Sequence, residues 1–337
     1  MKKVVKGMVG LLIALIITGC AKQEIREVVV YTCLDQIYSE PILQEFEKKT
    51  GIKVKAIYDT EATKTTGMVN RLIAEKNNPQ CDVFWNNEVG RTIILKEKGV
   101  ITSYHSPSAK DIPAQFKDSD GYWVGFAARA RVIIYNTELV KDEEAPKSIF
   151  DLTLPKWKGE AAIANPLFGT TLTHAAALFQ LLGEEKAKRY FADLKANEVV
   201  IVDGNSVVRD QVADGELKCG LTDTDDANGA IEDGKPVKVV YPDKDGIGTL
   251  VIPNTVSLVA GCPHPEEGKQ LIDYLLSPEV EEKLAHCRSV QIPLHPGVKT
   301  PAKVLPVESI KAMEVGFEEI ASKIEPTAKY LQRKFID

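Results

Sequence analysis

Residues 28–54 read "VVVYTCLDQIYSEPILQEFEKKTGIKV", and this stretch decides the fold class. "VVVYTC" is a compact run rich in β-branched side chains, which is typical of a buried strand. A helix is predicted to follow, with Ser39 as its cap, Pro41 in its first turn and Gly51 at its end. "IKVKAIY" then alternates apolar and polar residues, as a second strand does. This order predicts a parallel α/β sheet.

The same alternation continues along the chain. A second helix is predicted over about 65–76, "CDVFW" reads as another buried strand, and a third helix ends at Gly99. Ligands of such sheets gather at the carboxyl ends of the strands. Those ends are predicted at residues 32–38, 58–61 and 85–88.

The pattern changes near Gly121. "YWVGFAARARVIIYNTELV" predicts two extended segments that pass through Arg129 and Arg131. A second α/β region follows, with strands in "NEVVIVDG" and "KCGLT", before "GTLVIPNTVSLVAGCP" returns to strand. Two α/β lobes with more than one crossing between them would form a cleft, which is a usual place for a small ligand.

The first residues of the chain have the pattern of an export signal and are not expected to be part of the folded domain. A basic start and a short apolar run precede Cys20, and the run is shorter than the roughly 20 residues of a spanning helix. Residues 17–20 (ITGC) resemble the bacterial lipobox, so we expect 1–19 to be a signal peptide, Cys20 to carry lipid, and 20–26 to be a tether. The location predicted is extracytoplasmic and membrane-anchored. The alternative is an ordinary signal peptide with a coincidental cysteine.

Composition narrows the class of partner. The chain has 337 residues, a net charge of -6 and a pI of about 5.6, which speaks against nucleic acid. Beyond Cys20 the cysteines show no CxxC spacing and are odd in number, so not all of them pair within the chain. We expect small buried thiols, with a disulfide between some pair left open. These cysteines are Cys33, Cys81, Cys219, Cys262 and Cys287.

The sequence favours binding over catalysis. It contains no GxxxxGK[ST] phosphate loop, no GxGxxG after a strand, no HExxH and no GxSxG. The histidines are scattered without the spacing of metal ligands. We therefore predict a protein that is not an enzyme and needs no cofactor. A secreted enzyme on the same two-lobed scaffold is the alternative.

An acidic stretch, "LTDTDDANG" at residues 221–229, is the strongest candidate for a binding loop. It holds Asp223, Asp225 and Asp226 within four positions. An acidic run is usually a solvated surface loop, and that reading suits Asp223 best. Carboxylates in a cleft are costly without a partner, so a cleft with several of them would attract a cation.

From about Val28 to Val298 the chain resembles the bacterial substrate-binding proteins of ABC importers, in particular the iron(III)-binding group. The matching stretches include residues 28–54, "PQCDVFWNNE", "GFAARARVIIYNT", "PKWKGEAAIANP", "HPEEGKQLIDYLLSPEVEEKLA" and "QIPLHPGV". The resemblance implies a two-lobed periplasmic-binding-protein fold of type II, with the ligand cleft between the lobes. It also implies a permease and its ATPase as partners. We assign 27–122 with 252–300 to lobe 1, and 123–251 with 301–337 to lobe 2.

The resemblance also implies a set of ligand residues. Iron-binding relatives typically carry two adjacent tyrosines after a "GL" pair, and here Asp225 and Asp226 stand at that position. Asp35 is the counterpart of a histidine after the first strand, and Glu61 that of an acidic residue after the second. These are the predicted metal ligands: Asp35, Glu61, Asp225 and Asp226.

Two kinds of cargo remain open. The first is ferric iron or another hard metal ion, which suits carboxylate oxygens, bound together with an anion. The anion would meet Asn165, Thr170 and Ser206. The second is an organic cation, such as a polyamine or a thiamine-like molecule. Further residues predicted to contact the ligand are Tyr38, Trp85, Asn86 and Asp223. Tyr38 and Trp85 would offer cation–π faces, although Trp85 could equally be a core aromatic.

Overall fold

The computed structural model describes residues 26–59 and 65–336. Its strands are β1 (Glu27–Thr32), β2 (Lys53–Tyr58), β3 (Val83–Asn86), β4 (Ile101–Thr102), β5 (Val124–Asn136), β6 (Ala161–Ala164), β7 (Val200–Val202), β8 (Cys219–Asp223), β9 (Val237–Val240) and β10 (Val251–Val259). Its helices are α1 (Gln36–Thr50), α2 (Thr66–Ala74), α3 (Val89–Glu97), α4 (Gly169–Leu182), α5 (Glu184–Ala196), α6 (Asn205–Ala213), α7 (Thr224–Glu232), α8 (Pro265–Leu275), α9 (Pro278–His286) and α10 (Phe317–Leu331). The predicted signal peptide, Cys20, Glu61 and the predicted tether up to residue 25 lie outside the described residues.

The first lobe has a mixed sheet in the order β2-β1-β3-β10-β5. Strands β2, β1 and β3 are parallel, and β10 runs antiparallel to β3. The predicted alternation of strand and helix is confirmed here, and the carboxyl ends of β1 and β3 reach the same edge of the sheet.

Strand β5 belongs to both lobes. Its first half pairs with β10 through Ala130, and its second half pairs with β8 from Arg131 onward. Strand β8 then pairs with β6, and β6 with β7, in a parallel arrangement. The chain therefore crosses between the sheets inside β5, later than the lobe boundary that we assigned after residue 122.

Helix α10 packs against helices of both lobes. It contacts α3 of the first and α4 of the second, with Ile320 and Ile324 buried in the contact. An ion pair adds to this contact, because a guanidinium nitrogen of Arg91 lies 3.3 Å from the Glu325 carboxylate. The segment that we assigned to lobe 2 thus also covers lobe 1.

The start of α1 differs from the prediction. The helix begins at Gln36 with Asp35 in the N-cap position, so Ser39 lies inside the first turns and does not cap it. The Ser39 hydroxyl instead donates to the carbonyls of Leu34 and Asp35, at 3.1 and 3.0 Å. The predicted end at Gly51 is confirmed: its φ is 71°, a left-handed conformation that glycine adopts without strain.

Among the described residues, Cys81, Cys219, Cys262 and Cys287 are free thiols. Cys33, Cys81 and Cys219 are buried as expected, whereas Cys262 and Cys287 are partly exposed. Within the described ranges, none of the helices has the length and apolar content that a membrane crossing needs.

Candidate functional site

A polar cleft lies at the carboxyl ends of strands from both sheets. It encloses about 190 Å³. Among the described residues, its walls are formed by Asp35, Tyr38, Asn87, Arg129, Ala164, Asn165, Phe168, Gly169, Thr170, Thr171, Asp203, Gly204, Asn205, Ser206, Arg209, Asp223, Asp225 and Asp226. The structure therefore brings together eight of the residues that we predicted as ligand contacts, and their ligand contacts themselves stay predictions.

Asp223 ends β8 and is 1% exposed, so it is not part of a solvated loop. One carboxylate oxygen lies 2.6 Å from a guanidinium nitrogen of Arg131. The other accepts from the Thr170 hydroxyl at 2.7 Å and from the Asn205 amide at 3.0 Å. The surface-loop reading of Asp223 is wrong, because its oxygens are already used inside the protein.

Arg131 connects three elements at the floor of the cleft. Besides Asp223, its guanidinium donates to the hydroxyls of Thr170 and Thr171, each at 3.2 Å, and to the side-chain oxygen of Asn205 at 2.9 Å. Thr170 and Thr171 lie in the first turn of α4, and Asn205 begins α6. One buried cation thus fixes the starts of two helices relative to β8.

The rest of the acidic stretch is helical. Asp225 and Asp226 lie in the first turn of α7, where negative charge is favoured by the helix dipole. An Asp225 oxygen lies 3.4 Å from a guanidinium nitrogen of Arg129, and an Asp226 oxygen lies 3.7 Å from one of Arg209. The stretch that we predicted as a loop is a junction between strand and helix, because Asp223 still pairs with β5.

The aspartates converge in space. One oxygen from each of Asp223, Asp225 and Asp226 can be chosen so that all three lie within 4.8 Å of one another. Carboxylate oxygens are the donors that hard cations prefer. The cluster has the composition of a cation site, although arginines already face its carboxylates.

Arg129 is buried beside this cluster, at 4% exposure. Burial alone would lower the pKa of its guanidinium, but Asp225 and the neighbouring aspartates outweigh it and raise the pKa. Its hydrogen bonding is incomplete: one nitrogen lies 3.4 Å from the Asn254 side-chain oxygen, and its Nε has no acceptor among the described residues. Arg129 thus pairs with an aspartate close to the point where β5 crosses between the sheets.

Several helices point their N-termini at the cleft without a capping side chain. Helices α4, α6 and α7 follow Phe168, Gly204 and Asp223, none of which makes a side-chain cap. The first N–H groups of a helix lack intrahelical partners and carry partial positive charge. This part of the cleft is therefore suited to an anionic group.

The first lobe contributes Asp35 and Tyr38 near the start of α1. Tyr38 is half-buried, and its burial together with the Asp225 and Asp35 carboxylates raises the pKa of its phenol to about 12. The phenol is therefore neutral at physiological pH in the ligand-free protein. Its ring borders the same space as the aspartates.

Two predicted ligand residues lie behind the wall of the cleft. Trp85 is fully buried and packs against Phe126 with a ring-centroid separation of 5.5 Å. The Asn86 side chain is also fully buried and donates to the Glu88 carbonyl and the Thr92 hydroxyl. Neither side chain lines the cleft, because β3 is covered on both faces; the next residue, Asn87, lines the cleft instead.

Our sequence prediction missed Arg131, Asn205 and Thr171. Arg131 is two residues after Arg129 on one strand, so both side chains point to the same face. Asn205 lies three residues after the end of β7, and the strand-end rule that we applied to the first lobe would have selected it in the second. The spacing of the two arginines and the position of Asn205 after a strand could both have been recognised in the sequence.

Known proteins resemble the chain along most of its length. The probable ABC transporter periplasmic-binding protein of Sinorhizobium fredii is 30% identical over 268 residues, which cover 77% of this chain and 74% of the relative. Apo ferric ion-binding protein A of Pasteurella haemolytica is similar in structure, with a TM-score of 0.82 and 26% identity over 93% of this chain and 99% of that one.

A second similar structure has a sugar phosphate bound. The periplasmic binding protein AfuA of Actinobacillus pleuropneumoniae, with exogenous fructose-6-phosphate bound, has a TM-score of 0.82 and 25% identity, covering 92% of this chain and 98% of that one. These similarities support the predicted type II binding-protein fold. The profile of the family described as bacterial extracellular solute-binding protein matches residues 42–310. The chain therefore belongs to the bacterial extracellular solute-binding protein family.

Proposed function

We propose that this chain is the extracytoplasmic solute-binding component of an ABC importer and that its cleft binds ferric iron, or another hard metal ion, together with an anion. Family membership and the names of the similar transport and ferric ion-binding proteins support this. The observation that carries the choice of cargo is the carboxylate cluster within 4.8 Å at the cleft. The importing partners would be a permease and its ATPase.

The aspartates divide into two roles in this proposal. Asp225, Asp226 and Asp35 would give oxygen ligands to the cation, and Glu61 remains a candidate outside the described residues. Asp223 would stay with Arg131, because that ion pair is buried and short. Asp223 would then hold α4 and α6 in place and would not bind the cargo directly.

The companion anion would bind at the starts of α4 and α6. Backbone N–H groups, Thr170 and Ser206 surround this side of the cleft. Arg129, whose guanidinium is incompletely hydrogen-bonded, lies close enough to line the same space. A metal ion that binds together with an anion would thus pair with the aspartates, while the anion would pair with Arg129 and the helix N-termini.

An organic cation is the second candidate, and one observation favours it. Asp223, Asp225 and Asp226 each face an arginine, at 2.6, 3.4 and 3.7 Å. These arginines compete with a cation for the carboxylate oxygens, which costs more for a trivalent ion than for a single ammonium group. A polyamine or thiamine-like solute would also contact the ring of Tyr38.

A thermal-shift screen of the purified protein tests the cargo. We expect Fe(III) with citrate or phosphate to stabilise the protein more than either component alone. A ligand at 100 times its Kd stabilises by about 2.7 kcal/mol. The panel should include divalent metals, polyamines, thiamine and fructose-6-phosphate. Stabilisation by an amine and by no metal would replace the metal with the organic cation, and turnover of a compound would favour the enzyme alternative.

Two substitutions of Tyr38 separate the candidates. With an organic cation, Tyr38→Phe keeps the ring face and should retain affinity, whereas Tyr38→Ala should lose about 0.5–2 kcal/mol. With a metal that uses the phenol oxygen, both variants should lose affinity to the same extent. Isothermal titration of the best metal and the best amine measures the difference. Equal, undiminished affinity in both variants would remove Tyr38 from the site.

We also propose that Cys20 carries lipid and anchors the mature chain outside the cytoplasm. The support is the sequence at residues 17–20 and the extracellular nature of the family. Mass spectrometry of the membrane fraction should find a mature N-terminus at Cys20 with added acyl mass. The Cys20→Ser variant should lose that mass. Cleavage elsewhere, with no acyl group, would leave an ordinary signal peptide.

A further inference from the structure

A buried carboxylate holds the crossing strand where it bends. Glu281 lies in α9 and is 0% exposed. One of its oxygens accepts from the backbone N–H of Ala127 at 2.6 Å and from that of Leu294 at 2.9 Å. The other accepts from the N–H of His295 at 2.8 Å. Three backbone donors from two separate segments therefore meet on one side chain.

The bend itself is strained. Ala127 has a φ of 44°, in the left-handed region that a residue with a Cβ seldom adopts. Pairing of β5 with β10 shifts between Ile252 and Asn254, so two residues of β5 stand opposite Pro253. Such a bulge bends a strand and redirects the residues after it. Strained backbone persists only where its surroundings enforce it, and Glu281 is part of those surroundings.

The bend lies directly before the residues that face the cleft. Arg129 comes two positions after Ala127, and the crossing to the second sheet follows at Arg131. Ala128 exchanges backbone hydrogen bonds with Ile292, both at 2.7 Å, so the segment near residue 292 forms an isolated antiparallel bridge with β5 at the crossing. Glu281 binds both segments.

His295 neutralises this carboxylate. Its Nδ1 lies 2.8 Å from the second Glu281 oxygen, and its Nε2 lies 3.1 Å from the Ser108 carbonyl oxygen. Both ring nitrogens face acceptors, so both need a proton and the ring is an imidazolium. Burial is the largest single influence and lowers the pKa of His295, but the hydrogen bond and charge of Glu281, the Ser108 carbonyl and the charge of Asp111 together outweigh it and raise the pKa.

We propose that Glu281 is a positioning residue of the hinge between the lobes: it enforces the bend at Ala127 and thereby sets how Arg129 and Arg131 enter the cleft. The imidazolium of His295 is its counter-ion. The inference concerns the crossing strand and holds for any cargo, although its effect on affinity rests on the cleft being the solute site.

Two variants test the proposal: Glu281→Gln alone, and Glu281→Gln combined with Ala127→Gly. In Glu281→Gln one carboxylate oxygen becomes an NH₂ group, which cannot accept hydrogen bonds from the N–H groups of His295. The single variant should therefore no longer enforce the bend at Ala127. Small-angle X-ray scattering of the ligand-free protein should then show a changed radius of gyration. Affinity for Fe(III)–citrate, measured far below the melting temperature, should fall roughly tenfold. Adding Ala127→Gly, which removes the strain of a positive φ, should restore both quantities in part.

A purely structural role of Glu281 predicts a different result. Glu281→Gln would then lower the melting temperature without changing the radius of gyration or the affinity, and Ala127→Gly would rescue neither; either finding overturns the proposal. If wild-type protein does not bind Fe(III)–citrate, the proposed cargo fails, and the scattering result still decides the hinge.

His295→Gln is the milder variant should Glu281→Gln not fold. A base with a raised pKa stabilises the folded state below its unfolded pKa of about 6.5 and loses that contribution as pH rises through the folded pKa. The wild-type scattering and melting temperature should therefore change as the pH rises above about 6.5 and through the raised pKa of His295. In His295→Gln this change should be absent, and its persistence would contradict the assignment of His295 as counter-ion.

Discussion

The double variant Asp225→Asn, Asp226→Asn is expected to lose cation binding while it keeps its fold. The change is isosteric, so the first turn of α7 retains its shape, but two of the carboxylates at the cleft become neutral. Removing one partner of a desolvated charge pair costs about 2–5 kcal/mol of binding free energy. We therefore expect at least a hundredfold weaker affinity for the cation that the screen identifies, measured by isothermal titration.

A matched control carries the same change of charge away from the cleft. Asp193 and Asp245 are exposed and do not line it. Asp193→Asn with Asp245→Asn should bind as the wild type does. If the cleft variant and the control bind equally well, Asp225 and Asp226 act only as favourable charges at the helix N-terminus, and the proposed cation site is wrong.

Arg131→Met should cause the largest loss of stability among single changes at the cleft. The substitution leaves the Asp223 carboxylate at 1% exposure without its cation. Breaking a buried ion pair by removing one partner costs about 3–5 kcal/mol of the free energy of unfolding. Thr170 and Asn205 also lose a donor. Denaturant unfolding of the ligand-free protein measures the loss.

The double variant Arg131→Met, Asp223→Leu separates stability from positioning. Replacing both members of a buried ion pair by apolar residues is often neutral for stability. We expect most of the unfolding free energy to return, whereas affinity stays low because α4 and α6 are no longer tied to β8 by this pair. Recovery of both stability and affinity would show that the pair serves folding alone.

The elements of the fold were largely predictable because their signals are local. The apolar residues of "VVVYTC" and of α1 follow patterns only a few residues long, and these patterns reflect which sides of each element are buried. Predictions at element ends were weaker. Ser39 had the residue type of a cap, yet the N-cap is Asp35, four residues earlier, and the Ser39 hydroxyl donates to the carbonyls of Leu34 and Asp35.

The candidate site was predictable in part. Asp35, Tyr38, Thr170 and Ser206 line the cleft, as strand ends and the family resemblance indicated. Trp85 does not, because whether a residue at a strand end points to the cleft or to the core depends on what covers the sheet. The periodicity of the sequence does not tell which other elements pack over the sheet.

By itself, the sequence determined the α/β class, the two-lobed arrangement and the family, because each rests on short-range patterns or on the order of motifs along the chain. Only the tertiary structure decided what the acidic stretch does. Three aspartates within four positions have different surroundings: Asp223 is held at 2.6 Å by an arginine 92 positions away, whereas Asp225 and Asp226 lie 3.4 and 3.7 Å from theirs. The physical reason is that the charge state and role of a buried carboxylate depend on partners brought together by folding. Those partners are distant in the chain, so no local pattern specifies them.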